Sequence, residues 1–99
     1  MTTINNYLNE RAEKLDLFTT AITRAHGKNH PEAFDVRSIY EQISEKMSQA
    51  GDSRPDLDIE FSTLREVTND YTIPNDVCET YAGVYTMLSE ADTLYQKAE

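Results

Sequence analysis

The chain holds two histidines and one cysteine, the side chains best suited to metal or nucleophilic chemistry. His26 and His30 are four residues apart, a spacing that would place both rings on one face of a helix. Gly27 and Pro31 interrupt this stretch, so one helix containing both histidines is not expected. We expect His26 in the last turn of one helix and His30 at or near the start of the next. A metal shared across the loop between them is the alternative.

The carboxylates are placed unfavourably for a local metal site. Helical di-iron sites use Glu-x-x-His or His-x-x-x-Glu pairs, whose two side chains share one helix face. Thr23 and Gly27 lie three residues before the two histidines, and Phe34 lies four residues after His30, so neither pair occurs. The remaining metal alternative is an iron site that joins His26 to carboxylates of other segments. The candidate carboxylates are Glu45, Glu60 and Glu90.

Cys78 offers a second kind of chemistry. It falls on the apolar face of the last predicted helix, which favours a small buried core residue. A redox role needs a thiol pKa that is lowered by a helix N-terminus or a nearby cation. Cys78 does lie in the first turns after Pro74, whereas Asp76 and Glu79 beside it oppose a thiolate. We expect a core residue, with the redox role as the alternative.

Six tyrosines are a generous number for 99 residues, and three of them share one face of the last predicted helix. Tyrosine in a bundle usually buries its ring and leaves its hydroxyl at the rim. Tyrosine is also enriched at interfaces and binding hot spots. We expect core positions, with a partner-binding surface as the alternative. These residues are Tyr81, Tyr85 and Tyr95.

The composition excludes several classes of function. Eighteen acidic residues against nine basic ones give a net charge of -9, which repels nucleic-acid phosphates and anionic membranes. No apolar run exceeds two residues, while a membrane-spanning helix needs about 20 predominantly apolar residues. The first residues lack the pattern of a secretory signal, and one cysteine cannot form an intrachain disulfide. We expect a cytoplasmic protein that binds neither nucleic acid nor membrane.

Hydrophobic periodicity predicts four helices and no strands. Apolar residues recur at three- and four-residue steps in four segments, and glycine and proline residues mark the breaks. The predicted helices span residues 3–26, 31–50, 55–69 and 74–97, within one domain over residues 1–99. This pattern predicts an all-α, antiparallel up-down-up-down four-helix bundle. Two helical hairpins completed by a partner chain are the alternative.

Two stretches of the chain resemble a known family. The first is His26-Gly27-Lys28-Asn29-His30-Pro31-Glu32, and the second runs from Thr68-Asn69-Asp70-Tyr71-Thr72-Ile73-Pro74 through Cys78 to Ala91. Together they resemble the hemerythrin-like iron–sulfur cluster repair proteins (the Ric family), which hold two irons in a four-helix bundle. The resemblance implies a hemerythrin-like bundle and an ancestral iron ligand at His26.

Most ligand positions implied by the resemblance hold no ligand. The family's pair at the end of the second helix falls on residues 47–52, and its next histidine falls on residues 53–56. Its last histidine falls near Ala98, and none of these positions has a histidine. The resemblance therefore implies a shortened, ligand-depleted relative without a di-iron centre or another cofactor. Residues expected to fill the space where relatives hold iron are Tyr40, Phe61 and Tyr85.

These observations predict a non-enzymatic accessory protein of iron–sulfur repair or stress response that acts through protein contacts. The partner would be the iron–sulfur machinery or a longer paralogue, and a homodimer is also open. The acidic surface supports a second hypothesis, an immunity- or antitoxin-like module that binds a basic partner. The third hypothesis is a residual iron-binding protein that uses His26 and carboxylates.

Overall fold

The computed structural model describes residues 3–97, which form four α-helices. The helices are α1 (Ile4–His26), α2 (Glu32–Ala50), α3 (Asp58–Val67) and α4 (Glu79–Lys97). No strand occurs within residues 3–97. Helix α1 packs against α2 and α4, and α2 packs against α3, with a Cα radius of gyration of 12.8 Å. The prediction of an all-α chain with four helices is confirmed.

The first two helices begin within one residue of their predicted starts. Thr3 precedes α1, and its side-chain oxygen accepts a hydrogen bond from the backbone N–H of Asn6 at 3.1 Å. This N-cap contact satisfies a donor that would otherwise lack a partner. Pro31 precedes α2, where its missing N–H removes no helical hydrogen bond. Local sequence signals therefore decide both starts.

Helix α4 begins at Glu79, although the sequence predicts a start at residue 74. The cause is the α3–α4 connection (residues 68–78). Residues 69–71 have φ values of 53°, 62° and 62°, in the left-handed region, and the chain turns again at residues 75–76. The backbone N–H of Tyr71 donates to Thr68 Oγ1 at 2.8 Å, which holds this turn. Pro74 therefore lies within the connection and does not open the helix.

Helix α3 is shorter than the predicted span of residues 55–69. Pro55 and Leu57 are buried before the helix begins, and the backbone N–H of Leu57 donates to the hydroxyl of Tyr95 at 2.9 Å. This contact satisfies an N–H that a helix start would leave without a partner, and residues 54–57 are irregular. At the other end, Thr68 Oγ1 accepts from Tyr71 and diverts the backbone into the connection.

The core draws on all four helices and contains several aromatic rings. Tyr40, Phe61 and Tyr85 are buried, which agrees with their predicted interior positions. The buried carboxylate of Asp92 accepts from the Arg65 guanidinium at 2.7 and 2.8 Å and so ties α4 to α3. Over residues 3–97, every deeply buried side-chain polar atom has a hydrogen-bond partner. In the same range, none of the helices combines the length and apolar content needed to cross a lipid bilayer.

Candidate thiol–histidine site

The two histidines and the cysteine lie together where two connections meet. The α1–α2 connection (residues 27–31) approaches the α3–α4 connection at one end of the helices. His26 Nε2 lies 3.3 Å from Cys78 Sγ, and His30 Nε2 lies 2.9 Å from Asp76 Oδ1. We call His26, His30, Glu32, Asp76 and Cys78 the end cluster. Both histidines therefore face the α3–α4 connection, although each is about 50 residues away in sequence.

The end of α1 determines the position of His26. The carbonyl oxygen of His26 accepts from the backbone N–H of His30 at 2.7 Å, so the chain turns immediately after the helix. Gly27 has an ordinary right-handed φ of -57°. A Cβ atom there would lie 2.5 Å from the Phe34 ring and closer still to the Thr23 carbonyl oxygen. Glycine is thus required for space, because the start of α2 packs directly against the end of α1.

Cys78 is exposed, so the expectation of a small core residue is wrong. The late start of α4 is the reason, because Cys78 precedes the helix and does not lie on its apolar face. Its carbonyl oxygen accepts from the backbone N–H of Ala82 at 3.1 Å, the first hydrogen bond of the helical ladder. Cys78 therefore occupies the N-cap position of α4, with its thiol beside the positive end of the helix.

His26 and the first backbone N–H groups of α4 stabilise the thiolate form of Cys78. In order of size, these effects come from the backbone N–H of Tyr81, the side chain of His26 and the backbone N–H of Thr80. They outweigh burial and lower the pKa of the Cys78 thiol to about 7. In the tautomer that carries its proton on Nε2, His26 donates to the sulfur. A large fraction of the thiol is therefore ionised near neutral pH.

His30 joins the two connections through a pair of carboxylates. Its Nδ1 lies 3.1 Å from Glu32 Oε2, and its Nε2 lies 2.9 Å from Asp76 Oδ1. Hydrogen bonding to Glu32 and then to Asp76 raises the pKa of His30 despite the opposing effect of burial. The same contact lowers the pKa of Asp76. When it is protonated, His30 donates from both nitrogens and links the start of α2 to the α3–α4 connection.

Tyr81 supports both histidines from the core. Its ring meets His26 edge-on, with centroids 5.4 Å apart, and meets His30 with centroids 5.6 Å apart. Its hydroxyl lies 3.1 Å from that of Tyr85, and both side chains are buried. Tyr95 is also buried and donates to Asp58 at 2.7 Å. All three tyrosines predicted as core residues thus lie inside, and they do not form an exposed surface for a partner.

The carboxylates considered as iron ligands with His26 contact other side chains. Of the carboxylates considered with His26, the buried Glu60 pairs with the partly exposed Lys46 at 2.9 Å, and Glu90 accepts from the Tyr7 hydroxyl at 2.6 Å. Glu45 accepts a long contact from Gln49 at 3.5 Å. Over residues 3–97, no three His, Cys, Asp or Glu side chains converge in a group that could hold a metal ion. The ligand position near Ala98 lies outside the described residues.

No protein-family model matches this chain, and no solved structure matches it. The relation to the hemerythrin-like iron–sulfur cluster repair proteins therefore stays a prediction from the residues named above. The geometry of the end cluster indicates its chemistry. That geometry is a thiol at a helix N-terminus, in hydrogen-bond reach of an imidazole and open to solvent, which is the arrangement of an activated sulfur nucleophile.

Proposed function

We propose that this protein acts by thiol–disulfide exchange and forms a mixed disulfide between Cys78 and another molecule. The observation that carries the proposal is the 3.3 Å contact between His26 Nε2 and the exposed Cys78 Sγ at the start of α4. A buried cysteine would be inert, and an exposed cysteine without these donors would be mostly protonated at neutral pH. Here the donors and the exposure occur together.

The exchange step conserves atoms and electrons. The Cys78 thiolate attacks one sulfur of a disulfide, a new S–S bond forms, and the original S–S bond breaks. The departing sulfur leaves with the electron pair as a thiolate and takes a proton from water according to its own pKa. His26 holds the attacking sulfur through its hydrogen bond before the reaction. Because the sequence contains one cysteine, a thiol from another molecule must release the product.

The remaining expectations from the sequence fit within this proposal. Because the mixed disulfide persists until an outside thiol releases it, the protein would act stoichiometrically where such thiols are scarce, which agrees with a non-enzymatic role in stress response. A reducing cytoplasm would keep Cys78 available as a thiol. We further propose an up-down-up-down, hemerythrin-like bundle that has lost its iron ligands. The contacts of α1 with α2 and α4, and of α2 with α3, support the packing of the helices as a bundle.

The proposal is tested by the rate of exchange with hydroxyethyl disulfide, a small neutral reagent, followed by intact mass. At pH 7 the folded protein should react about three to six times faster than the same protein in urea, since the larger thiolate fraction outweighs its lower intrinsic nucleophilicity. Cys78→Ser should give no adduct. Equal rates for folded and unfolded protein would contradict the proposal.

A further inference from the structure

We infer that the molecule that exchanges with Cys78 carries positive charge beside its reacting sulfur. This inference rests on the proposed function and names the class of disulfide that the site selects. The chemistry could come from a cysteine flanked by lysine or arginine in a polypeptide, or from a small amine-bearing disulfide. The reasons are the fixed charges around the sulfur and the charge of the whole chain.

Carboxylates surround Cys78 in sequence and in space. Asp76 lies two residues before it and Glu79 directly after it, and both are exposed to solvent. Glu32 reaches the same region through His30, which it contacts at 3.1 Å. Lys28 is the one lysine or arginine within the two connections that form the end cluster. Glu32 and Asp76 share the His30 imidazole as a partner, which offsets part of their charge when it is protonated. With Glu79 next to the sulfur, an incoming group therefore meets a small excess of negative charge at short range.

The helix N-terminus and these carboxylates act on different atoms. The backbone N–H groups of Thr80 and Tyr81 lower the pKa of the Cys78 thiol itself. The exposed carboxylates act instead on the substituents of the incoming disulfide, which lie farther out. An anionic thiol or disulfide is thus repelled, while a cationic one is drawn to the site.

The charge of the whole protein acts in the same direction. The chain carries eighteen acidic and nine basic residues, a net charge of -9. A field of one sign raises the local concentration of oppositely charged molecules by about 10- to 1,000-fold at low salt. This long-range attraction is lost at high ionic strength, where the Debye length falls to about 3 Å at 1 M salt. Selection by charge should therefore disappear as salt is added.

The test compares two peptide disulfides that differ only in the charge beside the cysteine. Each peptide carries a thionitrobenzoate leaving group on cysteine, flanked by lysines in one peptide and by glutamates in the other. Release of the coloured thiol gives the rate, which is divided by the rate of 2-mercaptoethanol with the same reagent. At low salt the lysine peptide should react at least about tenfold faster than the glutamate peptide, and the ratio should approach one at 1 M salt.

Two matched variants test whether the preference for the lysine peptide comes from charges near Cys78. Glu79→Gln should lower the lysine-to-glutamate ratio by about twofold, because one nearby charge is removed. Glu13→Gln makes the same change of net charge on the exposed surface of α1, about 20 Å along the helix from His26, and should leave the ratio close to that of the unmodified protein. Equal effects of the two variants would mean that net charge alone selects the reagent and would overturn the local assignment.

The outcomes separate the inference from the proposed function. If exchange is rapid but the lysine peptide reacts no faster than the glutamate peptide, the inference is overturned and the proposed function stands. If the folded protein reacts with both peptides no faster than the urea-unfolded protein does, the proposed function itself is overturned. If the lysine peptide reacts faster as expected, cystamine shows whether the cationic disulfide is a small molecule or a polypeptide. The rate with cystamine is likewise divided by that of 2-mercaptoethanol with cystamine, which removes the effect of its poorer leaving group. A small-molecule source predicts that this normalised rate matches that of the lysine peptide, and a polypeptide source predicts that it is lower.

Discussion

Replacing His26 with asparagine should raise the pH at which Cys78 becomes reactive. Hydrogen bonds from the Tyr81 backbone, from His26 and from the Thr80 backbone together bring the pKa of Cys78 from 9.0 to about 7. His26 is the one side-chain donor among them, and its contact with the sulfur spans 3.3 Å. If it supplies about half of the effect, its loss moves the midpoint of reactivity upward by about one pH unit.

The rate at neutral pH changes less than the midpoint. At pH 7 a one-unit rise takes the thiolate fraction from about one-half to about one-tenth, a fivefold loss. The more basic thiolate is also about threefold more nucleophilic, since the Brønsted coefficient for thiolates is about 0.4–0.5. The net rate should fall only about twofold. The position of the pH profile, rather than a single rate, therefore reports the contribution of His26.

The assay is the pH dependence of alkylation by iodoacetamide, a neutral reagent, followed by mass spectrometry. His30→Asn is the matched control, because it removes the other imidazole of the end cluster, which makes no direct contact with the sulfur. The control should keep the midpoint within about 0.3 pH units of the unmodified protein. A profile for His26→Asn that coincides with the unmodified protein would refute the role given to His26.

Three further predictions concern the stability of the fold. Asp92→Ala should lower the free energy of unfolding by about 2–4 kcal/mol in urea titrations, because it leaves Arg65 without its buried partner. Asp16→Ala, in an exposed ion pair, should cost at most about 1 kcal/mol. Tyr85→Phe should cost about 1–3 kcal/mol by leaving the buried Tyr81 hydroxyl unpaired, whereas replacing both tyrosines should cost less than replacing one. Since the pKa of His30 is raised on folding, its stabilising contacts are complete below about pH 6.5 and are lost as pH rises through the raised pKa. The melting-temperature gap between the unmodified protein and His30→Asn should therefore narrow from about pH 6 to about pH 8.5.

The helices could be predicted from sequence because their signals are local. The three- and four-residue spacing of apolar side chains placed α1 and α2 to within a residue of their observed starts. Pro31 also marked a true helix start, since the residue after it opens α2. Pro74 did not, because residues 69–71 adopt left-handed conformations that direct the chain into a longer connection. That choice depends on contacts such as Tyr71 with Asp92, 21 residues away.

The sequence predicted the positions of the two histidines in the candidate site but not the contact of His26 with Cys78. His26 at the end of α1 and His30 near the start of α2 lie where the pattern of Gly27 and Pro31 placed them. The partnership of His26 with Cys78 was missed, because it joins residues 52 positions apart. The sequence signal that could have pointed to an exposed Cys78 is its position shortly after Pro74. A cysteine that follows a proline-containing turn is also suited to a helix N-cap, where its thiol becomes exposed and ionisable.

The most direct test of the account is a titration of the thiolate itself by its ultraviolet absorbance. The difference in absorbance between the unmodified protein and Cys78→Ser, followed against pH, isolates the one cysteine of the chain. The arrangement of His26 and the first backbone N–H groups of α4 predicts a midpoint at about 7. A midpoint at about 8.5 or above, the range of an unperturbed cysteine, would contradict it.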